Sequence, residues 1–393
     1  MSDAIVVINA GSSSIKFALY PAALDQPAGC IFRGQIDGLG ANPRFSAWDA
    51  EGNALAARPM PPQADHALAV GEALDWLEDH DAGYTVIAAG HRVVHGGDRF
   101  SQPVRVNDGV LNDLDKLSSL APLHQPHNIA GIRAVTEHRP RLAQVACFDT
   151  EFHQSQPAIA RALPLPAALT AGGLKRYGFH GLSYEYIALK LPEIVGDLAG
   201  GRVVVAHLGN GASMCAMLAG KSVASTMGFT ALDGLMMGTR SGAIDPGVLL
   251  HLLEEHGMSP ADLSRLLYQE SGLLGVSGLS HDMRTLLASP DPRAGFAIDL
   301  FVYRIARELG SLAAALGGLD ALVFTAGIGE HAAPVRAAVC HASAWLGIRV
   351  DRRANDMHER VISEPDSGVR VLVVPTDEEA MIARHTLRNL TPA

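Results

Sequence analysis

Residues 5–20 read IVVINAGSSSIKFALY. A β-branched run stops on Asn9, passes a glycine and three serines, and resumes in apolar residues, which predicts a hairpin with a small, hydroxyl-rich turn. The same turn has a second reading as an anion cradle. Small side chains let backbone N–H groups approach a phosphate, and Lys16 supplies charge. Two further places share this grammar. RVVVAHLGNGASMCAML at 202–218 repeats strand, small loop and strand, and ALVFTAGIGEHAAPVRAAV at 321–339 passes from a strand through a glycine-rich loop into an alanine-rich helical segment. Two similar hairpins about 200 residues apart suggest two related halves in a layered α/β architecture.

Helical stretches lie between these elements at 66–79, 248–256 and 296–316, the last with apolar residues at three-and-four spacing and no proline. Residues 52–65, rich in Ala, Pro and polar residues, read as a loop or a sheet edge. A chain of 393 residues exceeds one core and predicts two or three domains, with the change of domain near Asp149.

Hydrophobic residues make up 48% of the chain and charged residues 18%, with 40 glycines, the profile of a compact enzyme and not of a disordered chain. A formal charge of −10 argues against a nucleic-acid binder or an anionic-membrane binder, either of which needs a basic face. The four cysteines, Cys30, Cys147, Cys215 and Cys340, form no CxxC pair, so neither a zinc knuckle nor a disulfide framework is implied. MSDAIVV has no basic n-region, and no apolar stretch reaches the roughly 18 residues that span a bilayer. The expectation is a cytoplasmic protein with reduced, buried thiols.

No Walker-type P-loop exists: Gly220-Lys221-Ser222 has Cys215 where the first glycine should stand. GIGEHA at 327–332 does fit a dinucleotide-binding turn, with Asp351 at the end of GIRVD as the ribose acid, and keeps a dehydrogenase reading open. Arg92 follows the strand-like VIAAG, and Arg240 is bracketed by small residues in GTRSG. Their forked guanidinium groups suit carboxylate or phosphate; the plainer reading is a surface ion pair. His91 and His95 are spaced as metal ligands on a helix, but in a strand-like context they would not converge. His180, in KRYGFHGLSYEYI, reads first as a packed core residue. Asp149 ends AQVACFD and Glu378 follows VLVVPTD, acids at strand ends where open α/β folds place ligands and Mg²⁺. Glu378 also fits a helix N-terminus.

NAGSSSIK, HRVVHGG, FDTEFHQ, RYGFHGLS, HLGNGAS, MGTRSGAIDP, HDMR, TAGIGE and PTDEE occur in that order along the whole chain, and together they resemble the acetate kinase family. The resemblance implies a doubled α/β fold of the actin, hexokinase and Hsp70 ATPase type, with the active site in the interdomain cleft. It gives an N-terminal domain at 1–149, completed by 379–393, and a second domain at 150–378 carrying the nucleotide loops. The implied activity is reversible transfer of a phosphoryl group from ATP to acetate, giving acetyl phosphate and ADP.

Carried over by position, Arg92, Asp149, His180 and Arg240 would be catalytic, and Asn9 and Glu378 would hold Mg²⁺, with Mn²⁺ as an alternative. Ser12, Ser14 and Lys16 would line the phosphates together with His207, Leu208, Gly209, Asn210 and Gly211. Asp282, Met283, Arg284, Gly327, Ile328, Gly329 and Glu330 would surround the nucleoside. Val93, Leu123, Phe179 and Ala231 would form the acid pocket beside Arg92. The family commonly has proline at position 231, aspartate at 243 and alanine at 151, where this chain has Ala231, Ala243 and Glu151. A changed pocket keeps propionate or butyrate open as the acid, since one methylene discriminates by only about 1–3 kcal/mol. A homodimer is expected from the resemblance. The remaining rival is a non-catalytic ATP-binding module, which would have no evident need of the paired arginines.

Overall fold

The computed structural model describes residues 2–22, 29–80 and 83–390. The chain divides into two units, residues 1–151 with 377–393, and residues 152–376. These boundaries lie two residues from the expected ones and place Glu151 and Glu378 in the first unit; residues 391–393 of the expected closing segment lie outside the described residues.

The first unit is built on one sheet of β1 (Ser2–Ala10), β2 (Ser14–Pro21), β3 (Phe32–Asp37), β4 (Arg44–Asp49), β5 (Ala54–Pro59), β6 (Tyr84–Val93), β7 (Val104–Arg105) and β8 (Ala143–Phe148). The spatial order is β5-β4-β3-β2-β1-β6-β8-β7. Strands β1 to β5 form an antiparallel meander, and β1, β6 and β8 run parallel. The opening hairpin is present, with Asn9 opposite Lys16 and the Gly11 N–H donating to the Ser14 carbonyl at 2.8 Å. The 52–65 stretch supplies the edge strand β5.

β1 is buried on both faces because helices cover both. Ala4, Val6 and Ile8 pack with Val70, Leu74 and Trp76 of the helix His66–Asp79 and with Val135 of the helix Gln125–His138. On β6, a β-carbon at Gly90 would lie 2.3 Å from Thr386 Oγ1, so only glycine lets the helix Glu378–Leu390 come this close. That approach brings Glu378, the first residue of the helix, to the ends of β6 and β8.

The second unit has a sheet of β9 (Arg202–Leu208), β10 (Ala212–Leu218), β11 (Lys221–Ser225), β12 (Ala321–Thr325) and β13 (Arg370–Val373), in the order β11-β10-β9-β12-β13. β9 and β10, like β10 and β11, are antiparallel, while β9, β12 and β13 are parallel. This is the pattern of β3-β2-β1-β6-β8, so the two sheets repeat one topology. The expected helices are found at His66–Asp79, Pro246–Glu254 and Pro292–Leu316. All four cysteines are buried and none is in a disulfide.

Candidate active site

In the first unit the site begins where β6 and β8 end side by side. Arg92 on β6 donates to both oxygens of Asp149, from Nε at 3.0 Å and from Nη2 at 2.5 Å. Asp149 is 1% exposed, and its two oxygens form the fork that a guanidinium fits. The Arg92 Nε also lies 3.8 Å from Glu378. Burial opposes the charge on Arg92, but Asp149 and Glu378 outweigh it and hold the guanidinium above its ordinary value. Burial pushes the Glu378 carboxyl well above the usual carboxylate range; Asp149 and Glu379 add to this, while Arg92 and Lys16 pull the other way. A bound cation would relieve that crowding. The oxygen donors of Asn9 and Glu378 suit a hard ion that keeps most of its waters. Among the described residues no three His, Cys, Asp or Glu side chains cluster as a closed ligand set. Mg²⁺ needs only one or two carboxylates, and Asn9 and Glu378 are the oxygen donors that would hold it.

In the second unit three loops converge. His180 stands before the helix Gly181–Val195 in a left-handed conformation, φ 58°. Its Nδ1 lies 2.8 Å from Ser213 Oγ, which is 2.6 Å from the Tyr184 hydroxyl, and its ring stacks on His207 at 4.2 Å. His207 Nδ1 in turn meets Ser183 Oγ at 2.8 Å. Two serines thus set both imidazole planes. Arg240 is held by the Ala231 carbonyl, 2.8 Å from Nη1. A β-carbon on Gly211 would lie 3.4 Å from His180 Nε2 and 3.5 Å from Arg240 Nη2, so both cationic or donor groups face the space above this glycine.

Beside that space is a cavity of about 390 Å³, lined by Gly209, Asn210, Asp282, Met283, Arg284, Gly327 and Ile328 together with His281, Leu287, His331 and Ala332. The last four are not singled out as site residues by the sequence reading, although His281 opens the HDMR motif and His331 and Ala332 close GIGEHA. Gly238 backs the cavity, since a β-carbon there would fall 2.0 Å from Asn210 Oδ1. Asp282 caps the helix Met283–Ala288 and pairs with Arg284, which holds its carboxyl down at about 2.

The structure gives other sequence candidates different work. Leu208 is fully buried. Gly329 packs close to Phe324 and the Ala206 carbonyl. Glu330 uses Oε1 to accept from the backbone N–H groups of Ala326 at 2.8 Å and Thr376 at 3.3 Å, so it shapes the GIGE turn from behind. Glu151 Oε2 is buried. Of the acid-pocket residues, Val93 packs into a core cluster with Phe100, Ile129 and Phe148, Leu123 is 37% exposed and Phe179 is buried. His91 and His95 bond to different groups, Gln144 and the Gly97 N–H, as the strand context required.

The dehydrogenase reading is overturned. Asp351 caps the helix Arg352–Asp356 by accepting from the Ala354 N–H at 3.0 Å, and GIGEHA forms the short helix Ala326–His331 after β12, a strand of a sheet whose other half is antiparallel. The profile of the acetokinase family matches residues 4–384. An acetate kinase of Rhodopseudomonas palustris is 56% identical over 99% of this chain and 98% of its own, and one of Nitrobacter hamburgensis is 51% identical over 98% and 96%. Among solved structures, Porphyromonas gingivalis acetate kinase superposes with a TM-score of 0.89 at 38% identity, covering 99% of this chain and 100% of the other. A propionate kinase from Francisella tularensis gives 0.91 at 36%, covering 98% and 99%. The chain belongs to the acetokinase family.

Proposed function

We propose that the chain transfers the γ-phosphoryl group of ATP reversibly to acetate, the carboxylate oxygen attacking phosphorus directly. The observation that carries this reading is the pair of positioned cations. Arg92 is fixed by Asp149 in one unit, and Arg240 faces one small space with His180 in the other. A short carboxylic acid is already ionised near neutral pH, so no general base is needed. Catalysis then reduces to alignment and to charge around the phosphoryl oxygens, which Arg92, His180 and Arg240 supply. The cavity beside Gly209 and Ile328 takes the nucleoside, and the Gly11–Ser14 turn with Lys16 meets the phosphates. Asn9 and Glu378 would hold Mg²⁺, whose chemistry would be to neutralise phosphate charge.

Acetate is the proposed acid, with propionate or butyrate as the second reading because Ala231 replaces a family proline. The helix Pro246–Glu254, PGVLLHLLE, buries none of its residues, and Ile244, Val248 and Leu250 are exposed, a surface consistent with a homodimer. No helix among the described residues is long and apolar enough to cross a membrane. Four cysteines in no disulfide and ATP as substrate support a cytoplasmic location.

The test is hydroxylamine trapping of acyl phosphate from MgATP with acetate, propionate and butyrate in parallel. Acetate should lead, and Arg240→Ala should lose turnover by orders of magnitude with the fold intact. No acyl phosphate from any acid, in protein that still binds ATP, would leave a non-catalytic module.

A further inference from the structure

Two successive carbonyls of the opening turn are tied down by side chains. Asn128 Nδ2 donates to the Ala10 carbonyl at 2.7 Å, and its Oδ1 accepts from the Val94 N–H at 3.1 Å. His66 Nε2 donates to the Gly11 carbonyl at 2.7 Å. His66 is the first residue of the helix His66–Asp79, and Asn128 lies in the first turn of Gln125–His138. The two helices pack on one another, and the His66 ring stacks on His127 at 5.3 Å with 20° between planes. The ring is therefore held in place, and its nitrogen is not free to wander.

The peptide plane turns this bond into a direction. No peptide bond among the described residues is cis, so the Ser12 N–H points opposite to the Gly11 carbonyl it shares a plane with. A carbonyl anchored on His66 sends that N–H away from the helix, toward the exposed side of the turn where Ser12 and Ser13 lie. Glycine at position 11 makes the anchor necessary, because without a β-carbon the 11–12 peptide can flip at little cost. Gly11 keeps its own N–H for the Ser14 carbonyl, so Ser12 offers the first outward donor.

We propose that His66 is a positioning residue for phosphoryl transfer, which by holding the Gly11 carbonyl presents the Ser12 N–H to a phosphate oxygen of the nucleotide. This rests on the reading that the Gly11–Ser14 turn meets phosphate. His66 touches no substrate. Its action is to keep a backbone donor preorganised, which fails when the peptide is free to flip.

The experiment compares His66→Phe, which keeps a ring for the stack but has no donor, with His66→Gln, whose amide nitrogen can donate from nearly the same place. Steady-state kinetics are measured with MgATP and acetate, beside melting curves. His66→Phe is expected to lower kcat/KM for MgATP about tenfold or more with the acetate KM unchanged, and His66→Gln to restore most of it. Lys16→Met serves as the check on the underlying reading. Unchanged kinetics in His66→Phe while Lys16→Met loses turnover would overturn the positioning role alone. A loss that His66→Gln fails to restore, or that tracks only a lowered melting temperature, would also overturn it. Unchanged turnover in Lys16→Met would remove the phosphate reading of the turn and this inference with it.

Discussion

Gly211→Ala separates the chemistry from the fold. A β-carbon at this position would lie 3.4 Å from His180 Nε2 and 3.5 Å from Arg240 Nη2. These are tight but tolerable contacts, both with the ends of side chains, and Gly211 does not have a positive φ. The backbone therefore accepts alanine without strain, and the smaller entropy of the unfolded chain favours the variant by about 0.4–1 kcal/mol. The same methyl group stands where an oxygen held by both residues would have to be. A phosphoryl oxygen needs to come within about 3 Å of each nitrogen, and the methyl already fills that distance. Losing shared stabilisation from two preorganised donors should lower kcat about a hundredfold or more, or about 3 kcal/mol at least. The assay is acyl phosphate formation with MgATP and acetate, beside urea unfolding of the same protein. A stable, folded Gly211→Ala with turnover within threefold of the parent, about 0.7 kcal/mol or less, would refute the idea that the phosphoryl group occupies the space above Gly211.

Two further perturbations test the scaffold. His91 and His153 are each 1% exposed, and burial lowers both from 6.5 to about 4. The unfolded chain takes up a proton at each as pH falls from about 6.5 to about 4 while the folded one does not, so stability should be lost across that window, by about 3 kcal/mol per histidine. The loss is complete below the folded value and absent above the unfolded one. Urea unfolding of His91→Gln and His153→Gln at pH 7 and pH 4.5 should show a shallower pH dependence than the parent, and an unchanged slope would exclude these groups. Arg336 is fully buried and donates to the carbonyls of Gly329, Glu330 and Asn355 and to Asn355 Oδ1, all at 2.8–2.9 Å. Arg336→Met would leave these acceptors without their partner, and should cost about 3–5 kcal/mol and raise the KM for ATP more than that for the acid, because Gly327 and Ile328 line the cavity proposed to take the nucleoside. Destabilisation below about 1 kcal/mol would show that the turn does not depend on Arg336.

The hairpins at 5–20 and 202–218 and the helix at 66–79 are legible because their signals are local: a β-branched run, a small turn, a three-and-four apolar spacing. The repeated strand order is only hinted at by two similar hairpins, since β1 finds β6 and β9 finds β12 across long stretches of chain. The same divide runs through the site. Arg92, Asp149, Arg240 and Glu378 stand out as charges at strand ends or among glycines. Glu330 and Asp351 stand out equally, yet one supports a turn through Thr376, 46 residues away, and the other caps a short helix. A carboxylate after a strand serves a ligand or a backbone N–H, and only the fold decides which. His281, Leu287, His331 and Ala332 are not singled out for the site because the cavity they share is assembled from segments far apart in sequence. Arg336 escapes because a single arginine in an alanine-rich helix gives no sign of complete burial.

The central claim is a single displacement, with alignment supplied by Arg92, His180 and Arg240 and no residue of the chain taking the phosphoryl group. Its most direct measurement is the configuration of the transferred group, using ATP made chiral at the γ-phosphorus with oxygen isotopes and acetate as acceptor. Inversion is the result expected of one in-line attack. Retention would require two displacements through a phosphorylated residue and would contradict the account.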